Sequence, residues 1–186
     1  WADVDGADGT RRAVDHLVAS GYRRVAYLGW PGGSETGDDR RRGWVEATRA
    51  HDLHEPALSA ESVQDAEAAA AAAGSLVDAL EGSGAVVCAS DTLATGVVLA
   101  LQRRGLTPGR DVGVVGFDDS PLADALGITS LAQPLPAIAD HLLTTLSGFG
   151  VLDPAQGTRR PPSDTTAVRG RVFSPSLALR GLAMRG

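Results

Sequence analysis

The chain has 186 residues, of which 43% are hydrophobic and 22% charged, enough to bury the core of one large domain or two small lobes. Its 17 basic residues against 23 acidic ones leave a formal charge of −6. That is the wrong sign for a free-standing module that grips nucleic acid through its phosphates. The single cysteine, Cys88, excludes an internal disulfide and a four-cysteine zinc site, and fits a reducing compartment. No apolar run approaches the roughly 20 residues that span a bilayer, and Trp1–Asp5 shows no basic-then-apolar opening of a secretion signal. All the basic residues are arginine, a bias that GC-rich coding explains without reference to function.

In chain order, short apolar runs alternate with longer periodic segments. Thr10 to Ser20 reads as a helix with Val14, Leu17 and Val18 on one face, Asp8 or Thr10 as cap, and Gly21 as stop. Arg24 to Gly29 reads as a buried strand, followed by a loop with Pro31, Gly32 and Gly33. Asp38 to His51 reads as a helix carrying Trp44 and Val45, and residues 52–63 as irregular. Gln64 to Leu80 contains the alanine run Ala68–Ala73, and alanine loses no side-chain entropy in a helix. Ala85 to Ala89 is a second apolar strand, Asp91 to Arg104 a helix with Leu93, Val97 and Leu101 at four-residue spacing, and Asp111 to Phe117 a third strand. Thr129 to Ala132 is a brief strand, and Pro136 to Ser147 a helix with the stripe Ile138, Leu142 and Leu146. Residues 150–167, with Pro154, Gly157, Pro161 and Pro162, read as a loop, and Leu177–Leu179 as a last strand.

Strand–helix alternation with continuously apolar strands implies an α/β fold, a parallel sheet flanked by helices. Ligands of such sheets sit beyond the carboxyl ends of the strands. Three polar clusters fall there: Ser34–Gly43 with Arg40, the pair Ser90–Asp91, and Asp118–Asp119–Ser120. A guanidinium fork with short acids and hydroxyls suits a small polar, polyhydroxylated ligand, and Trp30 or Trp44 offers a ring to stack on it. Each residue also has a plainer reading. Ser90 or Asp91 is an N-cap, Arg40 in Arg40–Arg41–Arg42 belongs to a solvated face, and Trp44 lies in the core.

Gly21-Tyr22-Arg23-Arg24-Val25-Ala26-Tyr27-Leu28-Gly29, Arg40-Arg41-Arg42-Gly43-Trp44, Ala89-Ser90-Asp91-Thr92-Leu93-Ala94-Thr95-Gly96, Val112-Gly113-Val114-Val115-Gly116-Phe117-Asp118-Asp119, Thr129-Ser130-Leu131-Ala132-Gln133-Pro134 and Pro175-Ser176-Leu177-Ala178-Leu179-Arg180-Gly181 follow one another in an order that resembles the LacI/GalR family of bacterial transcription regulators. Each motif is loose, but their order and spacing are specific. The resemblance implies a periplasmic-binding-protein-like fold of type I, the C-terminal lobe of the effector-binding domain with part of the first lobe. Residues 1–132 would form that C-terminal lobe. Residues 133–186 would return to the first lobe and supply the closing crossover strand; the first lobe and the DNA-reading headpiece would be missing here. The Pro136–Ser147 stripe would then have nothing of its own to pack on.

Carried over position by position, the resemblance implies that Arg40, Ser90, Phe117 and Asp118 meet the effector. Asp91, Trp30 and Trp44 would stand behind them at the cleft. It further implies a small-molecule effector, a sugar, a homodimer with no membrane association, a cytoplasmic location, and operator DNA reached only through an N-terminal helix-turn-helix. No metal or other cofactor is expected. A solute-binding receptor of a sugar importer shares the fold and is the alternative. An enzyme is not expected. Gly29–Ser34 lacks the phosphate-loop lysine, His16, His51, His54 and His141 lack His-Glu-x-x-His spacing, and Cys88 lies inside a strand.

Overall fold

A computed structural model of the chain describes residues 1–148 and 170–183. In order, the elements are β1 (Ala2–Val4), α1 (Gly6–Ala19), β2 (Val25–Gly29), α2 (Glu35–Ala50), β3 (Ser59–Glu61), α3 (Ala66–Leu80), β4 (Gly84–Cys88), α4 (Asp91–Arg103), β5 (Val112–Phe117), α5 (Pro121–Leu126), β6 (Thr129–Ala132), α6 (Leu135–Gly148), β7 (Arg171–Phe173) and β8 (Ser176–Ala178). A 3-10 turn spans Gly181–Ala183.

The main sheet has the strand order β3-β2-β4-β5-β6-β8, parallel except for the antiparallel pairing of β8 on β6. Every residue of β2, β4 and β5 is buried, which is why these strands are continuous apolar runs and not alternating ones. Helices α1 and α2 pack on each other, as do α3 and α4. The chain steps outward from β2 to β3 and then back across β2 to β4. With right-handed crossovers this reversal puts α2 and α3 on opposite faces of the sheet. It also opens a crevice at the carboxyl ends of β2 and β4. The fold is thus the mostly parallel α/β sheet that the alternation implies.

The helix starts follow from short polar side chains. Asp5, Ser34, Asp65, Ser90 and Ser120 each accept a hydrogen bond from an amide three residues on. The first helix therefore begins at Gly6, four residues before the expected Thr10, because Asp5 and not Asp8 is the cap. Asp8 instead lies in the first turn and pairs with Arg11 and Arg12. Residues 52–63, expected to be irregular, contain β3, which pairs along β2 from Tyr27↔Ser59 to Gly29↔Glu61. Three residues without alternation gave no strand signal. A small second sheet pairs β1 with β7, in parallel. The loop expected at 150–167 lies outside the described residues.

Helix α6 carries Leu142 and Leu146 each 40% exposed and Leu143 53% exposed. Among the described residues, its aromatic contact is His141 against the edge of Phe173. No helix among the described residues is long and apolar enough to cross a membrane.

Candidate functional site

Arg40 is the one arginine of its run that turns inward. Helix α2 packs so closely on α1 that Gly6 and Gly43 have no room for a side chain. This places Arg40 over the carboxyl ends of β4 and β5, and leaves it buried. Nη1 donates to the carbonyl of Ala89. The guanidinium carbon sits 3.5 Å from the centre of the Phe117 ring and 5.3 Å from that of Trp30, within the range of cation–π attraction. Nη2 lies 3.6 Å from Oδ1 of Asp118, while Nε has no partner among the described residues. Burial pushes the guanidinium below its ordinary pKa, and Asp118 pulls it back up. Arg41 and Arg42 pair outward with Glu61, Asp39 and Glu46, as a solvated face would.

Asp118 ends β5. Its amide still donates to Leu131 in the neighbouring strand, but its φ of 107° and that of Asp119, 53°, put two successive non-glycine residues in left-handed backbone. The turn aims the Asp118 carboxylate at Arg40, and Gln133 donates to it at 2.7 Å. Burial pushes the Asp118 carboxyl above the ordinary carboxylate value, Arg40 and Gln133 lower it, and Asp91 raises it. The half-buried acid thus faces a guanidinium across a gap slightly too wide for a hydrogen bond.

Of the expected residues, Arg40, Phe117, Asp118 and Trp30 come together at one rim of the sheet. Asp91 stands behind them. Its carboxylate accepts from the Ser120 amide at 2.7 Å and from the Ser130 hydroxyl at 2.6 Å. Two of the expected residues lie deeper in the fold. Trp44 does not reach the cleft. It lies in the core with 1% of its surface exposed, donates to the Val25 carbonyl and stacks on Tyr27. Ser90 is fully buried, caps α4 and donates to Oε1 of Gln64, so its hydroxyl is committed within the fold.

Gln64 was not anticipated. The same Oε1 accepts the Trp30 indole N–H at 2.6 Å and the Ser90 hydroxyl at 2.9 Å. Gln64 thereby ties the segment after β3 to the ends of β2 and β4. The sequence reads it as the start of the alanine-rich helix, whereas that helix begins at Ala66 behind the Asp65 cap and leaves Gln64 free to reach Trp30 and Ser90. Gln133 was visible only as part of a closing motif. Arg180, paired with Asp119 at 2.8 Å and Asp124 at 3.0 Å, was likewise visible only as part of a closing motif. Among the described residues, no group of His, Cys, Asp and Glu could hold a metal ion.

The geometry agrees with what known proteins resemble this chain. Residues 14–172 match the family described as periplasmic binding protein-like domain. The HTH-type transcriptional regulator MalR of Streptomyces coelicolor is 33% identical over 176 residues, which cover 91% of this chain and 47% of that protein. The crystal structure of a LacI-family regulatory protein from Chloroflexus aggregans superposes with a TM-score of 0.78 at 30% identity, covering 100% of this chain and 63% of that one. The complex of the transcriptional regulator CelR with cellobiose gives a TM-score of 0.78 at 26% identity over 98% of this chain and 53% of that one. The chain spans about half the length of the curated relatives it matches. The matched domain, the relatives and the shared fold together show that the chain belongs to the LacI/GalR family of periplasmic-binding-protein-like, effector-binding domains.

Proposed function

We propose that this chain is the effector-sensing part of a bacterial LacI-type transcriptional regulator. It binds a small polar metabolite, a sugar, at the rim formed by Arg40, Phe117, Asp118 and Trp30. In a cytoplasmic homodimer, that binding modulates operator DNA contacts made by a helix-turn-helix outside residues 1–186. Residues 1–132 act as one lobe of the cleft, and residues from 133 onward lead to the other. The exposed leucines of α6 fit a helix that another lobe covers.

One observation carries this reading. Arg40 is buried, held by Ala89 and Phe117, yet keeps an unpartnered Nε and a loose 3.6 Å approach to Asp118. A buried donor without a partner is costly, and a polyhydroxylated ligand supplies acceptors to Arg40 and hydroxyl donors to Asp118 at once. Trp30, pinned by Gln64, supplies a ring beside them. An effector shifts the regulator only by its different affinity for two lobe arrangements, and these side chains sit where that difference arises.

The test is a thermal-shift screen of the protein in its natural length against glucose, cellobiose, lactose, sugar phosphates, nucleosides and purines, followed by calorimetry. A bound ligand raises the melting temperature by mass action. The reading expects a sugar hit whose affinity collapses in Arg40→Ala and in Asp118→Ala. A hit that both variants retain removes these residues from the site.

A further inference from the structure

We propose that Asp91 is a positioning residue of this rim: from the first turn of α4, its carboxylate holds the turn after β5 in the left-handed shape that aims Asp118 at Arg40. The inference rests on the reading of Asp118 as an effector contact.

Asp91 is not needed to start its helix, because Ser90 already caps α4 through the Leu93 amide. Its carboxylate is instead buried against the next strand and turn. One oxygen accepts the Ser120 amide. The other accepts the Ser130 hydroxyl, whose own oxygen accepts the Asp119 amide at 3.0 Å. Two consecutive amides of the turn thus end on one carboxylate, one directly and one through a hydroxyl.

That anchorage falls where the backbone needs it. Asp118 and Asp119 both have positive φ, and a non-glycine residue stays there only when its surroundings over-determine it. A second feature of the chain makes room for the anchor. A side chain at Gly116 would collide with Oδ1 of Asp91, so the glycine one residue before Phe117 leaves the slot that the carboxylate fills. Only a carboxylate presents acceptors on both sides. The arrangement is kept although the Asp91 charge works against ionisation of Asp118. It also couples α4, whose first residue is Asp91, and α5, which Ser120 caps, to the position of the Asp118 carboxylate.

Amide hydrogen exchange, followed by NMR on the ligand-free protein, tests this in wild type, Asp91→Asn and Ser130→Ala. Asn turns one acceptor into a donor, and Ser130→Ala removes the bridge but keeps the charge, so a folding failure of the first variant leaves the second. The expected result is exchange at Asp119 and Ser120 at least tenfold faster in the variants, with wild-type protection in β4 and β5. Unchanged protection at both amides, or a uniform loss across the sheet, overturns the proposal. A second arm measures cellobiose and lactose affinity by calorimetry. A loosened turn with the affinity of a bound sugar unchanged leaves Asp91 positioning the turn but takes Asp118 out of the effector site. Because the exchange arm uses no ligand, the two failures are distinct.

Discussion

The guanidinium of Arg40 lies over the ring of Phe117 at 3.5 Å, while its Nη2 reaches Asp118, the residue next in sequence, at 3.6 Å. A strand end thus offers one cation both an apolar floor and a charged wall. Lysine cannot reproduce this, since it lacks the planar fork that stacks and donates sideways at once. Arg40→Lys and Arg40→Ala are both expected to weaken effector binding, the latter by roughly 2–5 kcal/mol, the cost of stranding buried polar partners. Calorimetry on the folded variants, checked by circular dichroism, measures it.

Asp118 makes folding pH-dependent with a definite sign. Burial raises its carboxyl in the folded state above the ordinary value of 3.8, despite the opposing pull of Arg40 and Gln133. Its contribution to stability is therefore complete below 3.8 and lost as pH rises through the raised folded value. Asp118→Asn removes that dependence. Urea unfolding from pH 3.5 to 7 is expected to show the variant gaining on wild type as pH rises above 3.8. A gap that stays constant across that range contradicts the sign.

Gly96 reverses the usual rule that alanine stabilises a helix relative to glycine. A methyl group there would stand 2.8 Å from the Ala66 carbonyl oxygen and the Ala70 amide of the packed helix α3. Gly96→Ala is expected to destabilise the domain by about 1–3 kcal/mol through overpacking. Gly82→Asn is a control, since nothing lies within 4 Å of a side chain there and asparagine tolerates its φ of 69°. Denaturant midpoints at a common slope separate the two.

Most of the scaffold was legible because its strands are buried on both faces and its helices begin at short polar caps. What was missed was short or non-local. Three residues of β3 and three of β7 carry no period, and their pairing is decided by partners far along the chain. At the site, Arg40 and Asp118 were readable as polar residues just past strand ends. For Trp44 the plainer reading, the core, was legible from its place on a helix, but the hydrogen bond to Val25 that holds it inside is a tertiary fact. Gln64, Ser130 and Arg180 act through contacts 26, 39 and 56 residues away in sequence, beyond any local pattern.

Cys88 is buried in β4, and burial pushes its thiol far above the ordinary range. It is expected to resist an aromatic disulfide reagent in the native protein and to react stoichiometrically in denaturant. Reaction in native buffer faster than global unfolding, as followed by circular dichroism, counts against a closed core around this strand.

Gln64 steadies Trp30 beside Arg40, and this leaves the three tryptophans in three separate surroundings. Trp1 is 61% exposed and Trp44 is sealed in the core. Only the indole of Trp30 looks onto the rim. On this arrangement a blue emission from Trp44 and a red one from Trp1 are expected to stay constant, framing a Trp30 signal that shifts on titration with a sugar that binds at the rim.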